Sequence, residues 1–225
     1  MPRTDFKKLL QNKLKEVEFI KSLTLFPPYS YVKENDSVLQ IITFDPGTSG
    51  FACDVAVLPL VVPGEGVIAL NFGVTLGHYA KLGFQRWPYG NTKQETNQKI
   101  VECIEIIQKF GLPWLEKTGS EEGIVKYSVD DGTLIHCQPQ FRNQYKGYCA
   151  LHLGQIDKGV KWLQESIAYF KTLKYDYAEK RVMEMNEAIN IAINGRSRLK
   201  EYLDSIVAAS RQELYLNRLR VPAKS

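Results

Sequence analysis

The stretch YKGYCALHLGQIDKGVKWLQESI, residues 145–167, sets Gly147, Gly159 and Ser166 inside two segments whose apolar residues otherwise recur at helical spacing. A glycine inside a helix costs about 1 kcal/mol relative to alanine, so its presence asks for an offset such as the close approach of a second helix. Gly154 lies between the segments as a turn residue. The spacing therefore predicts a helical hairpin whose arms cross at the small residues, with Tyr148, Leu151, Val160, Leu163 and Ile167 as the larger contacts.

Reading outward toward the C-terminus, helical periodicity persists from Gln138, interrupted at Gly154, near Tyr175 and at Gly195. Helices are expected over about 139–153, 156–173, 177–193 and 196–219. Toward the N-terminus the period changes. Thr4 or Asp5 is positioned to cap a first helix carrying Phe6, Leu9, Leu10, Leu14, Val17 and Ile20, stopped by Pro27 and Pro28. Four short strands follow, over 29–33, 37–44, 51–58 and 67–76, separated by the turn sequences ENDS, DPGTSG and VPGEG. The last alternates most clearly, Ile68, Leu70, Phe72, Val74 and Leu76 facing a core. Thr92 and Glu95 form a capping box for a helix with Ile100, Cys103, Ile104, Ile107 and Phe110 on its buried stripe, ended by Gly111 and Pro113. The segment SEEGIVKYS reads as a short helix or an edge strand. The expected fold is α+β: an antiparallel four-stranded sheet packed with helices over 1–130, then an all-α helical subdomain over 131–225.

Two resemblances accompany these patterns. The small residues at 147, 159 and 166 resemble a single tetratricopeptide repeat. The segments DFKKLLQNKLKEVEF, YVKENDSVLQIITFD, ALNFGVTLG and GLPWLEKTGS together resemble the bacterial domain-of-unknown-function family 4304, over about residues 4–130. That resemblance implies a fold and a bacterial setting. No activity is established for the family, so it implies no catalytic residues.

Composition narrows the function classes. Hydrophobic residues make up 44% of the 225 and charged ones 24%, as in an ordinary globular protein. The net charge of +4 arises from residues 196–225, which hold seven Lys/Arg and three Asp/Glu. No basic stripe interleaved with aromatics appears, which argues against nucleic-acid binding. Cys53, Cys103, Cys137 and Cys149 are widely separated, without C-x-x-C or a flanking histidine at ligand spacing, so neither a zinc site nor another metal or cofactor is expected. The N-terminus lacks the apolar core of a secretory signal, and the most apolar run, 51–62, is too short to span a bilayer. The expected location is cytoplasmic.

The chemistry-bearing residues are sparse. His78, His136 and His152 lack close partners in sequence; Cys149 with His152, or Cys137 with His136, would make at most half of a nucleophilic site. PGTSG and PGEG lack the lysine and following helix of a phosphate loop, and there is no G-x-S-x-G. Asp130 with Asp131 reads as a turn, Glu121 with Glu122 as a solvated helix start. No catalytic residue is assigned. Two binding surfaces remain. The loop GFQRWPYG crowds Arg86, Trp87 and Tyr89, either as a hot spot or as a plug pinning the loop to the core. The outward face of the sheet carries small residues around Thr43, Asp54, Ala56, Ala69, Asn71, Gly73 and Thr75, covered by the protein's own helices or left for a ligand. The reading is a protein-binding module, with an immunity or antitoxin-like role as its specific form and self-association as a further possibility. The alternative is a small-ligand-binding protein or enzyme using the sheet face, with Asp54 and Asn71 as polar anchors.

Overall fold

Helical spacing in the first residues and period-two spacing after them become, in a computed structural model, a helix followed by a sheet; residues 3–26, 28–64, 68–82, 86–128 and 138–214 are described. Helix α1 (Arg3–Leu14) already includes Asp5 in its first turn, where a carboxylate meets the positive end of the helix dipole. The expected single first helix is broken. The chain turns at Lys15–Val17 and resumes as the short α2 (Glu18–Lys21), so Leu14 and Ile20 are both buried although they lie on separate elements. The apolar period runs straight through the break, which hides it from the sequence.

Among the described residues six strands rather than four form one antiparallel sheet: β1 (Thr24–Phe26), β2 (Ser30–Asn35), β3 (Val38–Pro46), β4 (Gly50–Pro59), β5 (Gly73–Thr75) and β6 (Trp87–Pro88). The order β1-β2-β3-β4-β5 is the expected meander. The free edge of β4 is shared, because β5 pairs with residues 54–56 and β6 with residues 50–51. The expected fourth strand over 67–76 contracts to Gly73–Thr75, and Leu76–His78 winds into a 3-10 turn. One bond extends the pairing, from the Val57 amide to the Phe72 carbonyl; Ile68 and Leu70 keep their inward packing without a ladder. Alternation records which side chains meet the core, and does not require a pairing partner.

Helix α3 (Lys93–Ile106) begins as expected: the Thr92 hydroxyl accepts from the Glu95 amide, and the Glu95 carboxylate accepts from the Asn91 amide at 2.7 Å. It does not end at Gly111. A π-helical turn, Ile107–Gly111, carries it into α4 (Leu112–Thr118), which accommodates Pro113 near its start. The glycine serves close approach, since a Cβ at Gly111 would stand 3.1 Å from Val55 Cγ1 on β4. SEEGIVKYS resolves as helix α5 (Glu121–Lys126), its first turn capped by Ser120.

The C-terminal helices α6 (Pro139–His152), α7 (Ile156–Phe170), α8 (Asp176–Asn194) and α9 (Arg196–Glu213) match the expected spans apart from ragged ends, and residues 215–219 of the expected last helix lie outside the described residues. Each packs on the next. Gly147 and Gly159 do sit at a crossing: a Cβ on Gly147 would lie 2.5 Å from Leu163 Cδ2, and one on Gly159 2.6 Å from Leu151 Cδ2. Ser166 is buried there too, donating to the Gln140 carbonyl at 2.7 Å. Gly154, at φ +74°, closes α6 in the left-handed conformation that glycine adopts without strain.

One continuous hydrophobic core joins the sheet and the helices. Phe72 is a hinge of this core, stacked on Tyr145 of α6 and in contact with Trp114 and Tyr127. The expected boundary between residues 130 and 131 lies outside the described residues, as do His136, Cys137, Asp130 and Asp131.

Replacing Gly147 by valine forces branched carbons into Leu163 and should lower stability by about 1–3 kcal/mol, the usual cost of overpacking. Urea unfolding measures it. Gly195→Ala, at a looser position without positive φ, is the control that should leave the midpoint nearly unchanged.

Candidate functional site

Where the sheet meets the helices, a cavity of about 260 Å³ opens. Helical spacing builds three of its walls. Phe141, Gln144 and Tyr145 share one face of α6, Tyr177 and Arg181 one face of α8, and Ser210, Glu213 and Leu214 the end of α9. The sheet side comes from Leu58 and Pro59 at the end of β4, the following segment to Gly64, and Ala69 and Asn71. The cavity thus lies at a junction that no single element could form.

Its electrostatics are nearly balanced. The Arg181 guanidinium donates to the Pro63 carbonyl and to the Glu184 carboxylate at 3.4 Å, which ties α8 to the segment after β4. Outside the cavity walls, burial, with Glu187 and Glu184 nearby, pushes the Tyr202 phenol up to about 12, and burial raises Tyr148 strongly as well, so both stay neutral. Gln144 is different. It is 1% exposed and its amide nitrogen has no hydrogen-bond partner among the described residues. An unmade buried hydrogen bond costs about 1–3 kcal/mol.

The sequence-derived binding residues fall in separate places. Asn71 lines the cavity, with Ala69 beside it. Asp54 does not: it accepts a hydrogen bond from Thr75 Oγ1 at 2.5 Å, in a cross-strand row where Ser30 pairs with Thr43 at 2.8 Å. The face bearing Asp54 is not an open one throughout, since Ile41, Ala52 and Ala56 on it are buried. In the loop, Trp87 is 0% exposed and stacks on Phe51 with centroids 5.6 Å apart, which is the plug arrangement. It presents no surface to a partner. Tyr89 is half-buried against Phe6 and Phe51, its hydroxyl 3.4 Å from the Gly47 carbonyl. Arg86 is paired with Asp45 at the surface.

A second cluster was not legible in the sequence. Glu121 is buried, contrary to its reading as a solvated helix start, and its carboxylate accepts from Ser37 and meets His152 Nδ1 at 2.7 Å. His152 Nε2 lies 3.1 Å from Asp204, which also pairs with Lys200 at 2.5 Å. Ser37, Glu121, His152 and Asp204 thereby join the sheet turn, α5, α6 and α9. The order of groups is not that of a nucleophilic triad, because the serine faces the carboxylate and both imidazole nitrogens are occupied by carboxylates. Cys149, one turn before His152, is buried, and burial with the nearby Glu121 and Glu122 drives its thiol pKa upward, the reverse of an activated thiolate. Cys53 and Cys103 are also buried free thiols, each packed as a small hydrophobe. Among the described residues no cluster suits a metal ion, and no helix is long and apolar enough to cross a membrane.

No family model matches the chain, and neither a curated protein nor a solved structure matches it. The site is therefore read from its own chemistry.

The cluster gives pH dependence a definite sign. The hydrogen bond that His152 donates to Glu121 raises the His152 pKa above its ordinary 6.5, so its stabilisation is complete below 6.5 and is lost as pH rises through the raised value. Hydrogen bonds from Lys200 and His152 lower the Asp204 pKa below 3.8, so that contribution is present above 3.8 and is lost as pH falls through the lowered value. The gap in urea midpoint between wild type and His152→Gln should be widest between pH 3.8 and 6.5 and should narrow above it. Separately, Trp87→Ala should cost about 3–5 kcal/mol as a buried aromatic deletion, whereas Arg86→Ala should cost at most about 1 kcal/mol, as for an exposed pair; denaturant titrations of both compare plug with surface.

Proposed function

We propose that this protein binds a small molecule in the cavity between its sheet and its helices. The observation that carries the reading is the cavity itself, about 260 Å³ with mainly apolar walls and Asn71 and Gln144 among its few polar residues, since such cavities with a few convergent polar groups are the usual form of ligand sites. Asn71 keeps its role as a polar anchor in this reading, and Asp54 becomes part of the sheet.

A second reading, recognition of another protein, rests on a different observation. Tyr169, Tyr175, Met183 and Ile193 are exposed large side chains on and between α7 and α8, Met183 at 72% and Tyr175 at 61%. Tyr175 stacks on Tyr177, a wall of the cavity, with centroids 5.6 Å apart. In an immunity or antitoxin-like role the protein would use these side chains to cover a partner enzyme. Capture from a cell lysate by wild type and not by Met183→Asp would favour it.

Thermal denaturation against a small-molecule collection tests the first reading. A ligand that binds only the native state raises stability by RT ln(1 + [L]/Kd), about 2.7 kcal/mol at a hundredfold excess over Kd. The expected result is a saturable rise in melting temperature for wild type that vanishes in Ala69→Phe, whose ring would occupy the cavity. A rise that persists in the filled variant would place binding elsewhere.

A further inference from the structure

Helix α9 begins poorly for a helix left to itself. Gly195 gives its first turn no side-chain cap and that turn holds no carboxylate, while Arg196, Arg198 and Lys200 set cations near the positive end of the helix dipole. Its first half therefore relies on contacts with the rest of the protein. Among those contacts are the buried side chains of Leu199 and Leu203 and the approach of Asp204 to His152 Nε2 at 3.1 Å. The end of α9 is fastened separately, by Arg211 to Glu34 and to the Asp36 carbonyl, with no imidazole involved.

His152 can donate to two carboxylates only while it carries two N–H groups. Among the described residues the charged groups that act on it are Glu121 from α5 and Asp204 from α9. Lys200, one turn earlier on α9, pairs with Asp204, and Ser37 of the β2–β3 turn donates to Glu121. On the histidine's own helix Cys149 stays a thiol, because burial, with Glu121 and Glu122 nearby, drives its pKa up. A neutral imidazole keeps one N–H, and its other nitrogen turns a lone pair toward the facing carboxylate. Burial decides which carboxylate loses its donor. The Glu121 side chain is 8% exposed and that of Asp204 47%, so stranding Glu121 costs more, whereas Asp204 keeps Lys200 and water. We infer that His152 is a proton-dependent latch: when charged it fastens the first half of α9 to α5 and α6, and on losing its Nε2 proton it keeps Glu121 and releases Asp204. The hydrogen bond to Glu121 raises the His152 pKa, so the latch is closed below 6.5 and opens as pH rises through the raised value.

Hydrogen exchange of the full chain, each rate divided by its intrinsic value, tests the latch at about pH 5.5 and about pH 9 in wild type and Asp204→Ala. Asp204 is half exposed, so the variant leaves the core intact. It also removes the Lys200 pair and changes helix propensity, but those effects are the same at both pH values and cancel in the comparison. The ratio of protection in wild type to that in Asp204→Ala, over amides 199–206, should fall by about two- to fivefold from the lower pH to the higher, the range of an exposed ion pair. Amides of α5 and those at 210–214, beside Arg211, should show no such change. Nitrogen-15 NMR of the imidazole should find the neutral ring protonated on Nδ1. A ratio independent of pH would overturn the inference. So would a neutral ring protonated on Nε2, or protection lost in α5 instead of α9, since either makes Glu121 the carboxylate released.

Discussion

At Gly147 a Cβ would stand 2.5 Å from Leu163, and this close contact between α6 and α7 is what allows α6 to be enclosed. With α7 drawn against one side, α6 still has faces for α5, α9 and the cavity. Gln140, Gln144, Tyr145, Tyr148, Cys149, Ala150 and Leu151 are all buried along it, a helix covered nearly all round rather than amphipathic in the usual sense. From that one helix come Tyr145 for the shared core, Gln144 for the cavity and His152 for the ionic cluster. A larger residue at 147 would push α7 outward and disturb all three.

Burying charge at the same junction requires pairing, since an isolated ion loses several kcal/mol of hydration. Glu121 meets this with Ser37 and His152, and Arg211 from α9 meets it with Glu34 on β2 at 2.6 Å and with the Asp36 carbonyl at 3.0 Å. Both arrangements tie helices to the β2–β3 hairpin, where Asp36 adopts φ +54°. Such pairs add little net stability over apolar packing, and they join α5, α6 and α9 to the hairpin.

The opposite end of the sheet is closed without charge. Phe6 from α1, Phe51 from β4, Trp87 from β6 and Tyr89 form a ring cluster, and the two-residue strand β6 is held there as much by these rings as by its pairing with residues 50–51. Gly50 permits it, because a side chain at that position would collide with the Trp87 backbone. Arg86, on the outside of the same loop, pairs with Asp45 across the surface.

The sequence by itself determined the α+β class, the meander order, the four C-terminal helices, the Thr92 cap and the glycine crossing, because each follows from spacing within a few residues. It also showed that the loop at 86–89 was crowded with aromatics. Whether those rings faced water or the core was not local information, and Phe6 and Phe51 decided it from elsewhere in the chain. The extent of β5 was likewise set by the partner strand, since alternation marks burial and pairing needs a neighbour. Glu121, His152 and Asp204 come from three distant segments, as do Asn71, Gln144 and Arg181. Only the tertiary structure brings such groups together, because no residue's own periodicity records which distant side chain will face it.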